Sequence, residues 1–175
     1  MKKTSLLGIV VMSLLNASCA HSFDRTVSYL DRDRFMGTWY VQAGRFTWFE
    51  KGAFNATETY TWNEKKQQID IDFRFNKDSL TGSEKRIPQT GWIKDQTTHA
   101  TWKISPFWPL RFTYLVIALD VNYEWTAIGV PNQNYLWIMS RDTNFSRARI
   151  DDVLKQVSEL GYSTSDVVYV EHSKK

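Results

Sequence analysis

Few residues of this 175-residue chain could carry covalent or acid–base chemistry. There is one cysteine, Cys19, and only three histidines, His21, His99 and His172. The sequence contains no G-x-S-x-G nucleophile motif and no cysteine–histidine spacing typical of a metal site. We therefore predict that the protein is not an enzyme and uses no metal or cofactor.

One pair of carboxylates could still be imagined as a catalytic acid and base. Asp70 and Asp72 alternate with Ile69, Ile71 and Phe73, so the two aspartates share one face of a predicted strand. Because the opposite face is strongly apolar, a solvated outer surface explains the aspartates better than a catalytic site does.

Cys19 has a setting typical of lipid modification. Lys2 and Lys3 precede an uninterrupted apolar run over residues 6–15, which is shorter than the roughly 20 residues needed to span a bilayer. This pattern predicts an export signal. Cys19 follows small residues and resembles a bacterial lipobox, although Asn16 stands where that motif prefers Leu.

Lipidation predicts where the protein resides. The Cys19 thiol would take a diacylglycerol and its freed amine a third acyl chain such as palmitate, giving an effectively permanent membrane anchor. Ala20 is not the aspartate associated with inner-membrane retention. We therefore expect residues 1–18 to be a lipoprotein signal peptide. The domain 19–175 would be anchored in the outer membrane, mainly facing the periplasm. Ordinary cleavage after Ala20 is the alternative.

Composition argues against a nucleic-acid binder. Removing residues 1–18, with their two lysines, lowers the formal net charge from +3 to +1. A nearly neutral domain lacks the basic footprint of such proteins. All 10 Phe, 8 Trp and 8 Tyr lie beyond residue 18, which is more ring surface than a packed core of this size usually needs. One domain with spare aromatic surface is predicted.

The hydrophobic pattern from residue 37 onward is mostly of period two. Residues 54–62, 69–76, 99–105, 112–120, 124–130 and 135–141 are predicted strands. Helical spacing occurs once, over 146–160, with Ser146 as N-cap and Gly161 as the stop. A last short strand is expected over 167–171. Regularly spaced short strands favour a β-sandwich or a β-barrel.

Three motifs in order resemble the lipocalin family, in its bacterial outer-membrane lipoprotein branch. The sequence G-T-W-Y at 37–40 resembles the family's G-x-W-Y, and A-L-D-V-N-Y at 118–123 resembles its T-D-Y turn. Y-L-W-I-M-S-R at 135–141 is similar to the bacterial Y-L-W-I-L-S-R. Residues 41–45 depart from the family pattern and contain one extra residue, which suggests a β-bulge.

The resemblance implies an all-β fold: an eight-stranded antiparallel up-and-down barrel with one C-terminal helix packed outside. Eight strands leave room for one small ligand. The resemblance places Trp39 at the closed end with the Arg141 guanidinium over its indole, a structural cation–π contact. Gly37, Asp120 and Tyr123 are likewise expected to be structural.

Strand parity supplies the candidate ligand-binding residues. They are Tyr114 and Trp137 first, then Tyr60, Phe75 and Trp102. Period two decides which residues share a face and leaves open which face points inward. The alternative is that these rings only pack in the core or against the helix.

The implied topology also predicts the mouth of the barrel. It would be formed by residues 46–52, 77–89 and 106–111 and the turn near Asn132. Four mouth aromatics could bind a ligand or a membrane, namely Trp48, Phe49, Phe107 and Trp108. Cationic side chains beside them could meet a phosphate or carboxylate headgroup, or could simply be solvated; these are Lys51, Lys77, Lys85, Arg86 and Arg111.

The predicted ligand is a small hydrophobic molecule, a fatty acid or a lysophospholipid. Burying a chain of about a dozen CH₂ groups gains ~10 kcal/mol before ordering costs. Binding or carriage of such lipids would serve membrane maintenance in the cell envelope. The alternative is a protein-interaction module that uses the aromatic mouth. The chain is expected to be a monomer or a homodimer.

Overall fold

Nine strands and two helices make up the fold over residues 22–173, the part of the chain that the computed structural model describes. The predicted signal peptide, Cys19 and His21 lie outside these residues. The strands are β1 (Gly37–Arg45), β2 (Ala53–Asn63), β3 (Gln68–Lys77), β4 (Glu84–Ile93), β5 (Thr101–Ser105), β6 (Phe112–Leu119), β7 (Trp125–Gly129), β8 (Leu136–Ser140) and β9 (Val168–Tyr169); the helices are α1 (Arg32–Phe35) and α2 (Arg147–Glu159).

Strands β1 to β8 form a closed antiparallel barrel with up-and-down topology. Each strand pairs with the next, and β1 closes the ring by pairing with both β8 and β2. Strand β9 adds two residues to the outer part of β1. The predicted all-β barrel with an outside helix is therefore confirmed.

Alternating side chains separate the barrel interior from its surface. Along β3, Ile69, Ile71, Phe73 and Phe75 are buried, while the intervening residues are partly exposed. The expected irregularity in β1 is also confirmed, because the register with β8 shifts between Val41 and Ala43. Such a bulge bends a strand and increases its twist, which suits the strand that must close the ring.

Helix α2 covers the outside of the barrel. Its N-cap is Ser146, whose hydroxyl accepts from the Arg149 N–H, and Gly161 follows its end with φ of 88°. Ile150, Val153 and Val157 pack in an outer hydrophobic cluster with side chains of β1, β6, β7 and β8. A separate cluster fills the barrel itself. The barrel interior is thus filled by its own cluster of aliphatic and aromatic side chains.

One predicted loop is partly wrong. Residues 77–89 were expected to form a mouth loop, but Lys77 belongs to β3 and residues 84–89 belong to β4. Strand β4 was not predicted because residues 84–86 are charged and residue 88 is proline, so no apolar alternation is present there. Residues 84–89 pair with β3 alone, since β5 joins only from Thr90 onward. A proline without an N–H is tolerated on such a local edge.

Candidate functional site

The closed end of the barrel is tied together by one arginine. The Arg141 guanidinium lies 3.7 Å over the Trp39 ring. It donates to the backbone carbonyls of Thr38, Arg34, Phe35 and Met36 at 2.7–3.0 Å. Partial burial lowers its pKa to about 10, so the group remains cationic near neutral pH. It joins α1, β1 and the end of β8 in one contact.

The other expected structural residues lie around this end. Gly37 has φ of 93°, and a β-carbon there would come within 3.4 Å of Arg141. The Asp120 carboxylate accepts from the Asn122 N–H at 2.8 Å. Tyr123 accepts a hydrogen bond at its hydroxyl from the Asp31 N–H at 2.9 Å. These contacts hold the β6–β7 turn against the segment before β1.

Aromatic rings rise through the barrel from this closed end. Phe35 contacts Tyr60 and Trp102, with ring centroids 5.5 and 5.3 Å apart. Trp102 then stacks on Tyr114 at 5.5 Å, and Tyr114 stacks on Trp137 at 6.4 Å. Four of the five predicted ligand residues therefore form one connected column. Phe75 is also buried but contacts Phe73 instead.

A cavity lies above this column, between it and the mouth. Tyr114 and Trp137 line it, together with apolar side chains that include Ile71, Ile104 and Phe112. Tyr60, Trp102 and Phe75 are not among its lining residues. The cavity measures about 50 Å³, which is room for a few water molecules and less than the roughly 300–1,000 Å³ typical of ligand pockets. Aromatic and aliphatic side chains of the inner cluster fill the rest of the barrel.

Two buried carboxyl groups face this cavity, and the first is Glu50 from the loop between β1 and β2. Its oxygens accept from the Trp137 Nε1–H at 2.9 Å and from the Thr47 N–H at 2.9 Å. The Thr47 hydroxyl also donates to it. Burial raises the Glu50 pKa, and these hydrogen bonds oppose the rise. All its donors are neutral.

The second carboxyl is Glu58 on β2. Burial raises its pKa to about 7; a hydrogen bond from the Tyr60 hydroxyl opposes this rise, and repulsion from Glu50 adds to it. The Tyr60 and Tyr114 hydroxyl oxygens lie 2.5 Å apart. Burial raises the pKa of both tyrosines well above the ordinary value. A chain of neutral donors therefore holds Glu58 inside the barrel.

Sequence reasoning missed both glutamates. Glu58 alternates with Thr57 and Thr59 and so shares a strand face with Ala56 and Tyr60. A charged residue on this otherwise apolar face was a signal of a buried carboxyl group that the sequence already contained. Glu50 lies in a loop, where periodicity says nothing about burial. Its burial follows from the tertiary structure, in which β8 places Trp137 beside it.

The mouth carries the expected exposed aromatics. Trp48 and Trp108 are 76% and 85% exposed, and Phe107 is 52% exposed. Phe49 is instead partly buried and lines the cavity. The mouth therefore has an apolar rim and one ring that reaches inward.

The cationic residues near the mouth are mostly engaged elsewhere. Arg86 pairs with Asp72 at 2.6 Å on the outer face, and Arg111 lies 5.2 Å over the Trp92 ring. Lys77 contacts Asp78 at 3.2 Å and the Lys51 carbonyl. Neither these residues nor Lys85 line the cavity.

The outer face of β3 has the character expected of Asp70 and Asp72. Asp72 forms ion pairs with Arg74 and Arg86, and Asp70 accepts from the side chains of Asn63 and Gln68. Neither residue lines the barrel cavity. Within residues 22–173, no helix combines the length and apolar character needed to cross a bilayer.

Comparison with known proteins agrees with this architecture. Residues 30–172 match the family described as lipocalin-like domain. The chain is 30% identical to the outer membrane lipoprotein Blc of Escherichia coli K12, covering 83% of this chain and 81% of that protein. It is 26% identical to the outer membrane lipoprotein Blc of Vibrio cholerae, covering 84% and 85%.

A solved structure shows the same fold at lower identity. Insecticyanin from the tobacco hornworm Manduca sexta superposes with a TM-score of 0.64 at 17% identity, covering 86% of this chain and 85% of that one. With the ring closure, the Trp39–Arg141 contact and the family match over most of its length, the chain belongs to the lipocalin family.

Proposed function

We propose that this lipocalin binds fatty acids or lysophospholipids and carries them at the outer membrane, in the service of membrane maintenance. The main support for lipid binding is an apolar cavity that opens between aromatic mouth loops at one end of a closed barrel. Because the cavity measures about 50 Å³, an acyl chain must displace rings at the mouth. The movable candidates are Phe49, Phe112 and Tyr135, which line its outer part.

Tryptophan fluorescence tests lipid binding directly, because Trp137 lines the cavity and stacks on Tyr114. Lysophospholipid titrated into delipidated protein should give a saturable emission change, which a fatty acid reverses by competition. A Trp137→Phe variant should lose most of the signal. A linear response without competition would contradict the proposal.

The proposed location is the outer membrane, through acylation of Cys19 after removal of residues 1–18, with the domain facing the periplasm. The support is the lipobox-like sequence and the name outer membrane lipoprotein carried by the similar bacterial proteins. Native mass spectrometry of protein extracted from its own membrane would measure the acyl mass and any retained ligand together. A mature mass that begins at His21 without acyl groups would contradict it.

A protein-interaction module remains the second candidate, because Trp48, Phe107 and Trp108 are exposed together at the mouth loops. Replacing Phe49 and Trp108 by Ser separates the two functions. Lipid uptake should fall several-fold if the mouth admits lipid, and it should stay unchanged if these rings serve only a protein partner. Val121→Ser, an exposed change at the closed end, is the matched control.

A further inference from the structure

The charged side chains that line the barrel cavity all have the same sign. Glu50 and Glu58 line it, and no Lys, Arg or His from residues 22–173 does so. Both glutamates are deeply buried, with 4% and 6% of their surface exposed. A buried carboxylate that is ionised is usually paired with a cation. None of residues 22–173 supplies one inside the cavity.

The hydrogen bonds of these glutamates leave acceptor capacity unused. One oxygen of Glu58 accepts from Tyr60, and its Oε1 has no recorded partner among residues 22–173 although the side chain lines the cavity. Glu50 is oriented by Thr47 and Trp137. The two carboxyl groups are thus held in place by neutral donors and face a common space.

Aromatic rings line the same space. Tyr114 is stacked between Trp102 and Trp137, so its two faces are covered by these rings. Tyr135, which also lines the cavity, adds a ring 6.0 Å from Trp137. Aromatic rings attract cations through their quadrupole. Carboxyl groups enclosed by aromatic rings form the chemistry that recognises an ammonium group.

We infer that the ligand of this cavity carries an ammonium group, which binds Glu50 and Glu58 while its apolar body extends between Ile71, Ile104 and the mouth aromatics. This inference rests on the proposed binding of an apolar ligand in the barrel, and it favours amphiphilic amines over the fatty acids proposed above. A carboxylate headgroup entering first would meet two carboxyl groups and no cation. A fatty acid could bind only with its carboxylate left at the mouth.

Three probes of equal chain length separate the possibilities: n-octylamine, n-octanol and n-octanoate. Each is titrated into the full-length, delipidated protein at pH 7.5 by calorimetry, with tryptophan emission as a second readout. Octylamine should bind at least tenfold more tightly than octanoate, with octanol between them. The order should persist in high salt, because a buried ion pair is screened far less than an exposed one.

The variants test which groups carry the preference. Glu58→Gln and Glu50→Gln each keep shape and remove one charge, so each should reduce the octylamine-to-octanol affinity ratio several-fold, and the double variant should bring it near one. Glu159→Gln, on the exposed face of α2, should leave it unchanged. Octanol affinity and near-ultraviolet circular dichroism report whether each variant keeps its barrel.

Proton release gives a readout that a purely structural role would not move. The titratable groups that face Glu58 are Glu50, Tyr60 and Tyr114. A bound ammonium group should expel the proton that Glu58, with its pKa raised to about 7, partly keeps near neutral pH. Octylamine binding near pH 7 should therefore release a measurable fraction of a proton, and octanol binding should release none. Calorimetry in two buffers of different ionisation enthalpy measures the difference.

The outcomes distinguish this inference from the function on which it rests. Equal affinity for all three probes, or tightest binding of octanoate, would overturn the ammonium preference and leave apolar binding intact. Failure of all three to bind would overturn the proposed function itself. An unchanged amine preference in the double glutamine variant would also overturn the assignment to Glu50 and Glu58.

Discussion

The two ends of this barrel both bury charge, and they use it in opposite ways. At the closed end, Arg141 donates to four backbone carbonyls and covers Trp39. At the cavity, Glu50 and Glu58 accept only from neutral donors. The arginine donates to the protein's own backbone, whereas the glutamates face a cavity and keep unused acceptor capacity. A charge bound by the protein's own groups stabilises the fold, and a charge with unused capacity is available for a ligand.

Removing the closed-end charge should have the largest effect. Arg141→Met keeps much of the apolar stem but removes four hydrogen bonds to backbone carbonyls, of which the Phe35 carbonyl keeps a second donor, the Trp39 indole. The free energy of unfolding should therefore fall by about 3–4 kcal/mol. Urea denaturation measures it. Arg111→Met, whose guanidinium lies over Trp92 at 5.2 Å, should cost less than about 1 kcal/mol. An equal loss of unfolding free energy in the two variants would show that Arg141 does not stabilise the closed end more than an exposed arginine does.

Neutralising the cavity charge should act in the opposite direction and depend on pH. The Glu58 pKa rises from 4.5 to about 7 on folding, so the folded chain keeps this proton to higher pH than the unfolded chain. The resulting stabilisation is complete below pH 4.5 and is lost as pH rises through 7, a change on the order of 3 kcal/mol.

Glu58→Gln should remove that dependence. Relative to the unmodified protein, the variant should gain unfolding free energy between pH 4.5 and pH 8, as measured by urea denaturation at several pH values. Glu159→Gln, an exposed glutamate on α2, is the control and should show no such gain. A flat difference for Glu58→Gln would mean that Glu58 is ionised with little cost in the folded chain.

Loosening the cavity network should have a smaller effect. Trp137→Phe removes the indole N–H that donates to Glu50 at 2.9 Å and keeps an aromatic ring against Tyr114. The expected loss is about 1–2 kcal/mol, and it should shrink when Glu50 is already Gln. A double-mutant cycle by thermal or urea unfolding measures that coupling; strict additivity would contradict the contact.

The smallest predicted loss of unfolding free energy is for a substitution at the closed end. Tyr123→Phe removes the hydroxyl that accepts from the Asp31 N–H, while the Arg34 guanidinium, 4.1 Å from the ring centroid, can stay in place. The expected loss is about 1 kcal/mol, with no change in octylamine or octanol affinity. An altered affinity would show that the two ends are coupled.

Most of the fold was predictable because strands and helices leave local signals. Alternation along 69–76 and the spacing of Ile150, Val153 and Val157 specify β3 and α2 without any tertiary information. Strand β4 was not predicted, because residues 84–89 are mostly exposed and carry few apolar side chains. A strand with little to bury has no period to read.

The candidate site, like the fold, was only partly predictable from the sequence. Parity selected Tyr60, Trp102, Tyr114 and Trp137 as candidates but left open which strand face points inward; the barrel turns their faces inward and gathers them into one column. Parity gives no information on the position of a residue along the barrel axis, which depends on the register between paired strands. It therefore could not separate the two residues that line the cavity from the three that do not. Tyr114 and Trp137 line it; Tyr60, Trp102 and Phe75 do not.

The sequence by itself determined most of the strand and helix pattern and the lipocalin resemblance, since each rests on residues that are neighbours along the backbone. Only the tertiary structure decided the character of the cavity. It brought Glu50 from a loop to Trp137 of β8, 87 residues away, and set Glu58 among buried rings. Desolvation of a carboxyl group depends on what surrounds it in space, and no local pattern records that.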